Sequence, residues 1–132
     1  MLKKFNFTVK VYYEDTDTGG VVYYANYLKF LERARSEAIY SLGFSNSELL
    51  KNHNTLLVVK SCNIEYKKPA FFEDKLDIIS EVISFTKTSF LMKQNIFKNN
   101  ELITEAEVHL VSVDKNGKPI KFPDVLKKKF EN

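Results

Sequence analysis

The sequence holds few of the residues from which several classes of protein are built. Its 132 residues include one cysteine, two histidines, four glycines and three prolines. The lone Cys62 excludes an internal disulfide framework, and the isolated His53 and His109 offer no metal-ligand spacing, so no metal is expected. Long apolar runs are missing too: nothing approaches the roughly 20 residues of a membrane span. The opening MLKKFNFTVK lacks the apolar core and small-residue cleavage site of a secretory signal, which makes the cytoplasm the expected location. The net charge is only +3 and the longest basic run, Lys127-Lys128-Lys129, reads as a solvated tail, so no nucleic-acid partner is expected. With no repeat, linker or low-complexity tract, the length fits one domain over residues 1–132.

What the sequence does hold is 44% hydrophobic and 14% aromatic residues, enough for a folded core, and one stretch dense in chemistry. Residues 11–27 read VYYEDTDTGGVVYYANY. β-Branched and aromatic residues lead into the carboxylates of Glu14, Asp15 and Asp17, then Gly19-Gly20, then the start of an apolar helix. That order sets acidic side chains beside a helix N-terminus. Backbone N–H groups there can stabilise a developing oxyanion, while a carboxylate serves as nucleophile or base.

Upstream, Phe5, Phe7, Val9 and Val11 alternate with polar residues, which predicts a strand. Downstream, Tyr27, Leu28, Phe30, Leu31, Ala34, Ala38 and Leu42 recur at helical spacing over a wide face. A largely buried helix is expected, with Asn26 as its N-cap and Gly43 in the left-handed position beyond its end. Ser45-Asn46-Ser47-Glu48 has the form of a capping box, with Phe44 and Leu49 as a hydrophobic staple, for a short second helix ending at Asn52-His53-Asn54. Strands over 56–66, 75–85, 88–97 and 102–113 follow, joined by short turns such as Asn99-Asn100, and such links predict antiparallel pairing. Pro119 and Pro123 mark a C-terminal extension. The class is therefore α+β, one sheet of about five strands covered by one long helix. Apolar residues on both faces of one strand, Ile78 and Val82 against Ile79, Ile83 and Phe85, predict an oligomer.

The string YYEDTDTGGVVYYANYLKFLERAR resembles the signature of the hotdog-fold acyl-CoA thioesterases, in the branch of the Tol-Pal-associated YbgC type and the 4-hydroxybenzoyl-CoA thioesterases. SCNIEYKKPAFFEDKL extends the resemblance along nearly the whole chain. It implies a single hotdog domain with its antiparallel sheet wrapped around the long central helix, and a homo-oligomer, a tetramer built from two dimers. It also implies hydrolysis of an acyl-CoA thioester to a carboxylic acid and free CoA, without a cofactor. Matched residue by residue, it puts Asp17 in the catalytic role, as nucleophile or general base. Gly20, Val22, Tyr24 and Ala25 become oxyanion and substrate contacts, with main-chain N–H groups of the segment from Val22 to Ala25 as the oxyanion donors. Lys87 and Ser89 become CoA contacts, and Lys67-Lys68-Pro69 a weaker match to the nucleotide entrance. Tyr24 departs from the YbgC pattern, which often has histidine there. A phenol with its usual pKa near 10 cannot replace an imidazole base, although the backbone N–H survives.

Each of these residues also has a local explanation. Asp17 suits an Asx-turn beside the glycines, and Tyr24 a packed aromatic at the helix entry. Glu32 and Arg35 suit a partly buried helical pair, and Lys87 and Ser89 a solvated strand edge. Glu14 and Asp15 read as structural or solvent-facing, with Asp15 able to bond within the turn and orient Asp17. His53 reads as a loop residue, His109 as a sheet-face residue and Cys62 as a small strand residue. Two other functions fit the same fold. One is a non-hydrolytic module that holds acyl-CoA or acyl carrier protein, suggested by the missing histidine at 24. The other is a dehydratase acting on acyl carrier protein, whose histidine-bearing motif the sequence lacks.

Overall fold

The computed structural model describes residues 2–131. Strand β1 (Lys4–Lys10) alternates exposed and half-buried residues, as its period-two pattern requires, and leads through a single 3₁₀ turn, Tyr13–Asp15, toward helix α1 (Asn26–Ser41). Helix α2 (Asn46–His53) follows, then β2 (Leu56–Tyr66), β3 (Lys75–Phe85), β4 (Ser89–Lys98), β5 (Glu101–Val113) and helix α3 (Asp124–Phe130). The strands form one antiparallel sheet in the order β1-β3-β4-β5-β2. Between β4 and β5, Asn99 and Asn100 both take positive φ, 50° and 66°, the backbone of a tight primed turn that asparagine tolerates.

The inner sheet face and α1 bury the core in two parts. Tyr27, Phe30, Leu31 and Ala34 of α1 meet Val11, Leu76, Ile78 and Ile96 at one end. Ile39 meets Leu49 of α2, Val82, Phe90 and Met92 of the sheet, and Leu126 and Phe130 of α3 at the other. Between the parts, fully buried Gln94 pins helix to sheet. Its Nε2 donates to the Leu31 carbonyl (3.0 Å) and to Ser80 Oγ (3.0 Å), and its Oε1 accepts from Arg35 Nη1 (3.0 Å). Satisfying both ends of a buried amide keeps its desolvation cost low and fixes the helix's position along the sheet.

Several expectations change on the structure. Asn26 is the first residue of α1 rather than its N-cap; Ala25 takes that position in helical conformation with no side-chain cap. The helix buries one face only, and Leu28, Lys29, Glu32, Arg33, Glu37 and Tyr40 stay exposed. Glu32 and Arg35 form no ion pair within 4 Å, because the guanidinium turns to Gln94. Of the capping box, Ser45 Oγ accepting from Glu48 N (3.1 Å) is formed. Phe85 is not on the outer sheet face: a bulge between Val82 and Ser84 rotates it inward, opposite Phe90. The stretch after Pro119 carries α3, whose buried Leu126 and Phe130 complete the second core part. Gly43, at φ +89°, ends α1 as expected.

Candidate active site

The candidate site is a loop folded back on itself between β1 and α1. Val11, buried at the end of β1, donates to Asp74 O and accepts from Glu73 N, both at 2.9 Å, which holds the loop's entry against the turn before β3. Asp15 is its knot. The side chain is buried and its Oδ2 accepts from Tyr12 N (2.9 Å), while its carbonyl accepts from both Tyr23 N (2.9 Å) and Asn26 Nδ2 (2.9 Å). Asp15 is thus not solvent-facing, and no hydrogen bond links it to the Asp17 carboxylate. Asn26 ties the helix start to the loop through its side chain instead of capping the helix.

Beyond the knot, Thr16 pairs with Val22 in a short antiparallel bridge, and Asp17 stands in the turn that the bridge closes. Its N–H donates to Val21 O (2.9 Å), its carbonyl accepts from Gly20 N (3.1 Å), and its Oδ1 accepts from Gly19 N (2.8 Å). The Asx-turn is therefore real, and it leaves the carboxylate exposed and held at one oxygen. A Cβ at position 19 would lie 3.3 Å from Asp17 Oδ1, and Gly20 sits at φ +81°, so both glycines serve the placement of that carboxylate.

The N–H groups around the helix start sort into two sets. Gly20 N donates to Asp17 O (3.1 Å) and Val22 N to Ala70 O (2.9 Å), so both N–H groups are already engaged within the loop. Tyr24 N and Ala25 N have no acceptor among the described residues and lie in the turn opening α1, where the dipole favours negative charge. The Tyr24 ring is 62% exposed and leans on Tyr23, with ring centres 4.8 Å apart, so it is not a packed core aromatic. Val21 bridges to Phe71, and Phe72 N donates to Gly20 O (3.3 Å), joining the loop to the 70–74 turn.

Lys87 and Ser89 do not join this loop. Lys87 lies in the β3–β4 turn and Ser89 opens β4, and β3 runs from Lys75, paired with Lys10 near the loop, to Phe85 at the far end of the sheet. Ser89 is also buried, its Oγ 2.6 Å from Thr86 Oγ1, so its hydroxyl is no surface phosphate ligand; Lys87 is exposed. Lysines at the loop's own end include Lys67, Lys68 and Lys98 as well as Lys10 and Lys75. Lys67 pairs with Glu65 and Glu105 (3.4 Å each), Lys68 with Glu101, and Lys98 with Asp74 (2.8 Å) while covering the Phe71 ring. A separate cavity of about 280 Å³ opens beside the second half of α1, walled by Ile39, Leu49, Leu57 and Met92 with Arg35 at its edge. Burial lowers the Arg35 guanidinium from its usual range.

Tyr66, within the string SCNIEYKKPAFFEDKL, carries no local pattern that marks it for the site. The structure sets its hydroxyl 3.1 Å from the Tyr24 carbonyl and its ring edge-on to Tyr27, centres 5.1 Å apart. Tyr27 in turn accepts from buried Ala70 N (3.2 Å). Burial raises the phenols of Tyr27 and Tyr66 above their ordinary 10, and the hydrogen bond with Tyr24 does the same for Tyr23. Cys62 is likewise raised by burial, which argues against a thiolate nucleophile. The described residues contain no cluster of ligands that could hold a metal ion and no helix long and apolar enough to cross a membrane.

Comparison with known proteins gives the same direction. The sequence model of the thioesterase-like superfamily matches residues 11–130. Acyl-CoA thioesterase YbgC of Haemophilus influenzae is 40% identical over 129 residues, covering 97% of this chain and 95% of that protein. Among solved structures, a probable thioesterase from Bartonella henselae superposes with a TM-score of 0.88 at 32% identity, over 92% of this chain and all of the other. A mutant of 4-hydroxybenzoyl CoA thioesterase, complexed with 4-hydroxybenzoyl CoA, superposes with a TM-score of 0.91 over 97% of this chain and 99% of that one; at 17% identity it speaks for the fold.

Proposed function

The chain belongs to the thioesterase-like superfamily, and from that membership we propose that it hydrolyses acyl-CoA thioesters at the loop between β1 and α1, with Asp17 as the reacting carboxylate. Its reaction class is that of its YbgC relatives, thioester hydrolysis on a hotdog fold. The observation that carries the site is the pair of unpartnered N–H groups, Tyr24 and Ala25, in the same folded-back loop as an exposed, one-side-held carboxylate.

In this reading the thioester carbonyl oxygen lies against the two N–H groups, which polarise it and hold the negative charge that grows there. Asp17 either removes a proton from the attacking water or attacks the carbonyl carbon itself and forms an anhydride that water then opens. The C–S bond breaks, the thiolate leaves and is protonated as free CoA, and the acyl group departs as a carboxylate. Neither route needs a base at position 24, so tyrosine there is compatible with turnover.

The same reading includes a homo-oligomer. The 11-residue β2 lies at the sheet edge with Val58 and Val59 exposed, and an open edge of that length favours pairing with another copy. Lys87 would then meet CoA only in a site it shares with a neighbouring copy, being at the wrong end of its own sheet. A monomer in sedimentation at micromolar concentration would remove this part.

Thiol release from short-chain, long-chain and aromatic acyl-CoA, compared between the parent and Asp17→Asn, tests the whole. Asparagine keeps an oxygen for the Gly19 N–H, so the turn should persist while turnover falls by about 10²-fold or more, the usual worth of a general base. Undiminished turnover would remove Asp17 from the chemistry. Saturable acyl-CoA binding with no thiol release by the parent would favour the non-hydrolytic module.

A further inference from the structure

Resting on that reading of the loop, we propose that Tyr66 is a positioning residue that aims the Ala25 N–H at the substrate oxygen. The Tyr24 carbonyl and the Ala25 N–H belong to one peptide unit, and in a trans peptide they point in opposite directions. Whatever holds the carbonyl therefore sets where the N–H points.

The α1 ladder does not hold it well. An i+4 bond to the Tyr24 carbonyl would come from Leu28 N, but Leu28 N donates to Ala25 O (3.2 Å), and the bond from Tyr27 N to Tyr24 O is long at 3.4 Å. The firmer partner is the Tyr66 hydroxyl, 3.1 Å away and 42 residues on, at the very end of β2. Its ring is steadied edge-on by Tyr27, whose hydroxyl accepts from Ala70 N, while the Ala70 carbonyl accepts from Val22 N. The end of β2 and the 66–70 segment thus grip both sides of the turn that presents the two N–H groups. A phenol, with its ordinary pKa near 10, keeps its proton at neutral pH, and so the Tyr66 hydroxyl remains a donor.

Tyr66→Phe removes one oxygen and keeps the ring on Tyr27. The expected result is a fall in kcat of about tenfold, smaller than the 10²–10³-fold cost of deleting an oxyanion donor because the N–H is misaimed rather than lost. KM, affinity for a non-hydrolysable thioether analogue of the substrate, and the denaturation midpoint should all stay at parent values, since the ground-state carbonyl leans little on the donor. Parent-level kcat in the variant would overturn the proposal, and so would a fall in kcat matched by falls in analogue affinity or midpoint, which a merely structural bond would give. Asp17→Asn assayed beside it separates the two readings. If Asp17→Asn is inactive and Tyr66→Phe is fully active, only the role of Tyr66 fails; if Asp17→Asn retains turnover, the site itself is misassigned.

Discussion

The two ends of the molecule use aromatic residues in opposite ways. At the loop end stand Tyr12, Tyr13, Tyr23, Tyr24, Tyr27 and Tyr66, six of the chain's seven tyrosines, and Tyr12, Tyr13, Tyr23, Tyr24 and Tyr66 are at least 42% exposed. At the other end Phe5, Phe85, Phe90, Phe122 and Phe130 pack ring to ring with centres 5.2 to 6.4 Å apart, Phe90, Phe122 and Phe130 being buried. A phenyl ring stabilises mainly by leaving water, whereas a phenol can stand at the boundary and fasten a backbone group with its oxygen. The Phe end therefore holds the fold together, and the Tyr end holds a loop in shape while leaving its surface open.

The largest expected effects separate the ends cleanly. Asp17→Asn should remove turnover and leave the denaturant midpoint in place, because the exposed carboxylate contributes its turn bond through an oxygen that asparagine keeps. Phe130→Ala should do the reverse. It empties a site among four other phenylalanines and should cost about 3–5 kcal/mol of stability by denaturant unfolding, with kcat per folded molecule unchanged. If Phe130→Ala lowers kcat of the folded protein, the two ends are coupled through α1 and the division fails.

Tyr27 is the residue that belongs to both ends, with a ring as buried as a core phenylalanine and a hydroxyl that accepts from Ala70 N. Tyr27→Phe strands that buried N–H and should cost about 1–3 kcal/mol, less than Phe130→Ala, while also lowering kcat because Ala70 steadies Val22. Burial holds the Tyr27 phenol above 10, so it binds its proton more tightly folded than unfolded. The stability this gives is complete below pH 10 and is lost as pH rises through the higher folded value; Tyr27→Phe should lack that alkaline loss in unfolding curves taken across the same range.

The difference between the ends also explains what could be read in the sequence. Strand alternation, the helix over 26–41 and the Asn99-Asn100 turn are local patterns, and they were legible to within a residue or two. The Asx-turn at Asp17 was legible because the carboxylate and Gly19 are two residues apart, whereas a reacting role for Asp17 came only from the resemblance of the whole motif. Tyr66 was not legible, since its bond to the Tyr24 carbonyl spans 42 residues and depends on where β2 ends in the sheet. Phe85 was misplaced by a single-residue bulge, which inverts every side chain beyond it, and α3 was missed because a seven-residue helix owes its form to the Phe cluster it covers more than to its own sequence. The N–H group of Val22 looked equivalent to those of Tyr24 and Ala25 because its acceptor, Ala70 O, lies 48 residues away in the sequence.

The smallest expected effect is at Tyr24, and it tests whether the loop acts through side chains or through its backbone. Tyr24 is 62% exposed, and the groups it contributes to the proposed site are its N–H and its carbonyl, neither of which a side-chain change removes. Tyr24→Phe keeps the ring on Tyr23 and should leave kcat and KM within about twofold of the parent in the same thiol-release assay, a change near the limit of what one hydrogen bond exposed to water is worth. Set beside a tenfold loss in Tyr66→Phe, that result would mean that a hydroxyl 42 residues away matters more to the Tyr24–Ala25 peptide than the hydroxyl of Tyr24 itself. A tenfold loss in Tyr24→Phe would instead make the phenol a direct participant and put a side-chain donor where the backbone has been assigned.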